Sequence, residues 1–334
     1  MKTIDWTLQP IWNDTLIEQG REVEARDYIR ASEVGGAFID RYLKMTGVQF
    51  SDPFDARTYR LFEAGNIYEW LVRLVLIRSG LLVAHQTEVK ITGDKHLDVI
   101  GHLDFIGGGK PDFREAEKIM PLLEALYFPT KMMTVADKII EELQAKFPDG
   151  LPKLLYEVKT VNSMVFWRHN KAMERPYPHH ELQLYTYLKG MKMNEGRFLY
   201  ISKDDLTLSG VALVVDDELE ARWQADVQQM TKYYNTKTMP ELESPIVWDE
   251  ESSKYSKNWK VERSNYFTLI HKDKDKDEFI KDIKNLANRA NARVKKAHDL
   301  KEDITDAQVQ EVVDPYIKGE LSDKLHIIKE VQIA

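Results

Sequence analysis

The chain has 334 residues, 43% of them apolar, and a formal net charge of −8. That length predicts one large domain or two of ordinary size, with enough apolar residues to bury a core without covalent staples. The absence of cysteine excludes a disulfide framework, a cysteine zinc site, a thiol nucleophile and a cysteine-ligated iron–sulfur cluster, so a metal must sit on carboxylates, histidines, carbonyls or water.

The start, MKTIDWTLQPIW, lacks a basic segment followed by an apolar run and predicts no secretory signal. The most apolar stretch, 71–84, is broken by Arg73 and Arg78, which argues against a membrane span. A cytoplasmic protein with no membrane role is expected. Residues 1–56 read as an N-terminal helical segment, strongest over 28–45, and Asp52-Pro53 breaks the chain after it. Leu61, Ile67, Leu71, Leu74 and Val75 recur near helical spacing and predict a helix over 57–79, with Gly80 suited to its C-terminal end.

The period then changes. Val89, Ile91, Leu97, Val99, Leu103 and Phe105 fall near every second position, and Gly93-Asp94 marks a turn, so 86–106 reads as a hairpin. Gly107-Gly108-Gly109 closes its second strand. Residues 113–147 read as helical, within an insertion over about 107–152. A strand over 154–161, a helix over 178–191, strands over 197–202 and 208–215 and a helix over 216–235 follow. Residues 57–235 thus predict an α/β core with a mixed central sheet flanked by helices, carrying a helical insertion. The rest, 236–334, reads as an irregular segment to 270, then a helical C-terminal tail over 276–300 and a last short helix over 306–317. Lys281, Lys284, Arg289, Arg293, Lys295 and Lys296 read as that tail's solvated face.

Residues two apart on a strand share a face, so Glu157 and Lys159 point the same way. If the strand of Asp104 lies alongside, Asp104 and Glu157 converge on one cation. Two carboxylates, the Val158 carbonyl and waters make a hard oxygen site suited to Mg²⁺ or Mn²⁺. Lys159 beside them can orient an attacking water. Gln183 and Tyr187 are one helical turn apart and share a face. Glu69 can add a further ligand if its helix faces the strand ends; pairing with Arg73 is the alternative. Each pattern alone is weak, because charges two apart on a strand usually form a solvated face. Here Leu155, Val158 and Val161 place Glu157 and Lys159 on a buried-looking strand, where unpaired charge is costly.

Gly65–Glu69, Gly101–Asp104, Glu157–Lys159 and Gln183–Tyr187, in this order, resemble the PD-(D/E)xK nuclease superfamily, and within it the RecB-like branch. That branch includes CRISPR-adaptation and phage exonucleases. The resemblance implies a restriction-endonuclease-like core and Mg²⁺ or Mn²⁺ as cofactor. It implies Glu69, Asp104, Glu157 and the Val158 carbonyl as metal ligands, with Asp104, Glu157, Lys159 and Gln183 as catalytic residues. Gln183, Tyr187 and Lys203, the last in a polar Ser-Lys-Asp strand end, would contact substrate. The implied activity is a DNA exonuclease acting on single-stranded or free ends in repair, recombination or phage DNA processing. Its implied partners are DNA and a helicase or recombination protein, in a bacterial or phage-infected cell. The alternatives are a nuclease-like DNA-binding module that does not cleave, and a structure-specific endonuclease. Many members of the branch clamp their ends with a four-cysteine iron–sulfur cluster. By resemblance Ala37, Val261 and Ser264 stand in the ligand places, which implies no iron–sulfur cluster and packing in place of the clamp.

Overall fold

The computed structural model describes residues 8–18, 22–110, 138, 141–167, 173–249, 252–271 and 275–300. Most of the helix expected over 113–147, and all of that over 306–317, lies outside these residues. In chain order the elements are α1 (Leu8–Glu18), β1 (Ile29–Arg30), α2 (Phe38–Met45), α3 (Ala56–Arg78), β2 (Leu82–Gly93), β3 (His96–Gly109), β4 (Leu151–Val161), α4 (Ser163–Phe166), α5 (Pro178–Met191), β5 (Glu195–Ser202), β6 (Leu208–Val214), α6 (Asp217–Thr236), β7 (Ile246–Asp249), β8 (Lys254–Lys257), α7 (Trp259–Glu262), α8 (Phe267–Ile270) and α9 (Lys276–Leu300). Among the described residues no helix is long and apolar enough to cross a membrane.

Local chemistry sets several of these boundaries. Asp55 caps α3 by accepting the Thr58 N–H at 2.7 Å. Pro178 opens α5 at its first turn, where no N–H partner is needed, and Lys192 closes it in a left-handed conformation. The helix expected over 28–45 is not continuous. Ile29, fully buried, adds a short parallel strand to β3, and Gly35, with a φ of +80°, turns the chain before α2 begins.

The chain divides into two compact units, one of 1–20, 27–35 and 55–232, the other of 21–26, 36–54 and 233–334. This corrects the three consecutive segments expected over 1–56, 57–235 and 236–334. The N-terminal segment is shared: 27–35 joins the sheet, whereas 36–54 joins the C-terminal part. The cause is long-range packing, to which chain order is blind.

The first unit is α/β, with a mixed six-stranded sheet. β2 runs antiparallel along β3, and the opposite edge of β3 is shared by β1 at Val99 and Ile100 and by β4 from Phe105 to Gly109. β4 and β5 are parallel, joined through α4 and α5, and β6 returns antiparallel to β5. Gly109 pairs with Leu151, so the insertion expected over 107–152 is narrower, and its flanks continue the β3–β4 ladder. α5 buries Leu182, Leu184, Tyr185 and Leu188, and meets α6 through Trp223, whose indole N–H donates to Thr186 Oγ1 at 2.8 Å.

The second unit is held by two apolar clusters. Phe279, Ile283, Leu286, Ala287 and Ala290 recur at helical spacing along α9 and pack with Ile246 and Phe267. Lys281, Lys284, Arg289, Arg293, Lys295 and Lys296 lie on its exposed side. Ile39 and Leu43 of α2 pack with Tyr266 and Ile270. The region expected to be irregular, 236–270, holds the β7–β8 hairpin and the short helices α7 and α8. None is long enough to show a period, so packing alone defines them.

Polar atoms tie 36–54 to this C-terminal part. Asp40 accepts from the Ser264 hydroxyl at 2.8 Å and from the Asn265 N–H at 3.2 Å. Asp52 accepts from the Thr268 N–H and hydroxyl, and the Tyr266 hydroxyl donates to the Val48 carbonyl. Ala37, Val261 and Ser264 line one pocket with Asp40. Burial pushes the Asp40 carboxyl above its usual range, against the opposing bond from Ser264. Asp40→Ala should cost about 1–3 kcal/mol, because it strands two donors. Asp40→Asn, which keeps one acceptor, should lose less; urea denaturation compares the two.

Candidate active site

The site begins where two strands part. The antiparallel ladder of β3 and β4 ends at Phe105 and Tyr156, and the same register places Asp104 directly across from Glu157. Residues far apart in sequence are therefore neighbours. Beyond this point β4 pairs with β5. The Val158 N–H, left without a strand partner on the β3 side, donates instead to Asp104 Oδ2 at 2.8 Å. The N–H and carbonyl of one strand residue project from the same edge, so the Val158 carbonyl also faces this fork.

Glu157 is 1% exposed. Its Oε1 accepts from Lys159 Nζ at 2.7 Å and from Gln183 Nε2 at 2.8 Å. Lys159 Nζ also donates to Gln183 Oε1 at 2.9 Å, which closes a three-membered ring of contacts. Gln183 Nε2 further reaches the Tyr187 hydroxyl at 3.2 Å. Glu157, Lys159, Gln183 and Tyr187 are thus brought together as expected. Among the described residues, Glu157 Oε2 is buried with no hydrogen-bond partner.

Burial raises the Asp104 carboxyl well above its ordinary range, and the neighbouring Glu157 charge adds to this. Burial also raises Glu157, against the opposing pull of Lys159. Tyr187 is pushed far up by burial and stays a neutral hydroxyl. Two carboxyls at such a fork resist ionising together without a cation.

The glycine of Gly101–Asp104 has a steric reason. A Cβ at Gly101 would lie 2.5 Å from Ala31 Cβ and 2.9 Å from Tyr187 Cε1. The missing side chain lets the Tyr187 ring lie against β3. At Gly65 a Cβ would make only an ordinary contact with Thr160, so space does not demand glycine there.

Glu69 of α3 lies close enough for its charge to raise both Asp104 and Glu157. Its Oε1 accepts from Gln86 Nε2 at 2.6 Å, and among the described residues no ion pair joins it to Arg73. Among the described residues, no hydrogen bond or ion pair joins the Lys203 side chain to this ring; it lies one residue past β5, where its N–H donates to the Val161 carbonyl at 2.8 Å. Its half-buried ammonium has a pKa lowered by that burial.

Sequence reasoning missed two neighbours. His180, one turn before Gln183 on α5, bonds the Tyr200 hydroxyl at 2.8 Å, and Tyr200 pairs with Lys159 in the β4–β5 register. Burial first, then the Lys159 charge, pushes His180 down to about 2, so it is neutral. Its spacing from Gln183 was a usable signal. Gln86 offered none, because its place depends on how β2 pairs.

Among the described residues no group of three His, Asp or Glu side chains stands ready to hold a metal ion. Magnesium needs fewer: one or two carboxylates with several waters suffice. Asp104 and the unpartnered oxygen of Glu157 fit that requirement, with the Val158 carbonyl at hand and Glu69 within electrostatic range.

No protein-family model and no curated protein matches the chain. Among solved structures, the crystal structure of SSO0001 is similar, with 13% identity, 70% of this chain and 87% of that chain covered, and a TM-score of 0.38.

The raised Asp104 pKa means the folded, metal-free chain binds more protons than the unfolded one above about pH 4. Stability in chelator should therefore fall as pH rises through that window. Asp104→Asn should flatten the slope and raise Tm at pH 8, by about 2–4 °C per kcal/mol relieved; thermal denaturation across pH checks this. Gly101→Ala should cost about 1–3 kcal/mol by overpacking against Ala31 and Tyr187, read by urea denaturation.

Proposed function

We propose that this protein is a metal-dependent DNA nuclease that hydrolyses phosphodiester bonds, preferring single-stranded ends. One observation carries the reading. Among the described residues, a buried oxygen of Glu157 lacks a hydrogen-bond partner beside the half-buried Asp104 carboxyl, where the β3–β4 ladder ends. Desolvated carboxylates are costly unless a cation or donor compensates them. The pattern resemblance to PD-(D/E)xK nucleases supports the same reading.

Each residue then has a task. Asp104 and Glu157, with the Val158 carbonyl and Glu69 beside them, would hold a Mg²⁺ or Mn²⁺ ion. Such an ion would supply Lewis-acid polarisation of the phosphodiester and acidify the attacking water. Lys159, gripped by Glu157 and Gln183, presents its ammonium at a fixed place where it orients that water and balances phosphate charge. Gln183 keeps Glu157 and Lys159 in register, and Tyr187 braces Gln183. His180 and Tyr200 keep the floor under Lys159 uncharged.

The test is cleavage of linear and circular single-stranded DNA by purified protein with Mn²⁺. Cleavage of linear strands alone is expected. Cut circles would mean an endonuclease, and bound but uncut DNA would mean a binding module. Glu157→Ala and Lys159→Ala should each lower the rate by about 10²- to 10⁴-fold while the circular dichroism spectrum stays unchanged. Undiminished cleavage by Glu157→Ala overturns the proposal.

A further inference from the structure

Gln86 adopts a conformation that its strand does not require. Its φ is +44°, in the left-handed region that side chains other than glycine, asparagine and aspartate rarely occupy. It sits inside β2, where Ala84 pairs with Ile106, His85 with Phe105 and Thr87 with Leu103. The unbroken register puts Gln86 across from Asp104. The strand's alternation of exposure slips here: positions 83, 85 and 86 are exposed, then 88 and 90. The ladder keeps its register through this residue.

The result is one contact. The Gln86 amide donates from Nε2 to Glu69 Oε1 at 2.6 Å, linking β2 to α3 beside Asp104. A carboxylate has no proton to give, so the amide nitrogen must be the group that faces it. Strained backbone persists where the surrounding structure over-determines it, and such positions concentrate at functional sites. Glycine would occupy this conformation more cheaply, but it would leave the Glu69 oxygen unheld.

We propose that Gln86 is a positioning residue that holds Glu69 beside Asp104 and Glu157, from where Glu69 would reach a cation bound there directly or through one of its waters. The proposal rests on the metal-dependent reading above. Partners behind a metal-ligating carboxylate fix its orientation, and losing one weakens metal affinity by about 10- to 100-fold.

The experiment is calorimetric titration of Mn²⁺ into the metal-stripped full-length protein. It compares wild type, Gln86→Gly, Gln86→Asn, Glu69→Ala and the double variant Gln86→Gly/Glu69→Ala. Gln86→Gly should melt in chelator at or above the wild-type temperature, because glycine relieves the backbone, yet bind Mn²⁺ about 10- to 100-fold more weakly. Gln86→Asn, which tolerates the same φ but is one methylene too short to reach, should behave likewise. The double variant should bind no more weakly than Glu69→Ala alone, because Gln86 acts through Glu69. Wild-type affinity in Gln86→Gly or in Glu69→Ala, or a further loss in the double variant, overturns the assignment. If wild type binds Mn²⁺ and cuts DNA, such a result removes Gln86 alone. If wild type does neither, the nuclease reading falls with it.

Discussion

A buried glutamate beside a half-buried aspartate imposes the constraint on which the candidate site depends. Asp104 and Glu157 meet where β3 and β4 part, and desolvation raises both. Several neighbours answer some part of that cost, while the Glu69 charge adds to it. The Val158 N–H, freed by the end of the ladder, takes one oxygen of Asp104. Lys159 and Gln183 share one oxygen of Glu157. The second oxygen of Glu157 is the part of the demand that the described side chains leave unmet. A charge-assisted bond or an ion is worth most where water is excluded, so the same burial that destabilises the bare pair would strengthen a bound cation.

The supports of that pair reach well back into the fold. Gly101 has no side chain, so the Tyr187 ring can approach β3, and Tyr187 in turn braces Gln183. Trp223 fastens α5 from its other side through Thr186, which keeps Gln183 and Tyr187 aimed at the strands. Residues remote from any chemistry thus set its geometry. The second unit solves a separate problem with the same means. Its N-terminal and C-terminal segments are distant in sequence, and hydrogen bonds at Asp40, Asp52 and Tyr266 fasten them without a covalent link.

Elements with a clear period were legible at once. The helix expected over 57–79 is α3 at Ala56–Arg78, the expected 178–191 is α5, and the strand period of 86–106 is the β2–β3 hairpin. Elements defined by packing were not. Residues 28–45 looked helical because their apolar residues permit it, yet Ile29 joins a sheet and Gly35 turns the chain. The two-residue β1 and the four-residue strands β7 and β8 are too short for periodicity to mark. Lys203 stands one residue past the end of its expected strand, beside Val161, outside the ring of contacts around Glu157.

The order of charged and apolar residues by itself determined the mixed α/β class, the candidate residues Asp104, Glu157, Lys159, Gln183 and Tyr187, and the exclusion of cysteine chemistry. These are local patterns, and strand alternation and helical spacing express them within a few residues. Only the tertiary structure decided that Asp104 faces Glu157 across the inserted segment, that Gly101 makes room for Tyr187, and that Gln86 reaches Glu69. Each of those depends on strand register, which is set by pairing between distant segments and so is carried by no stretch of sequence alone.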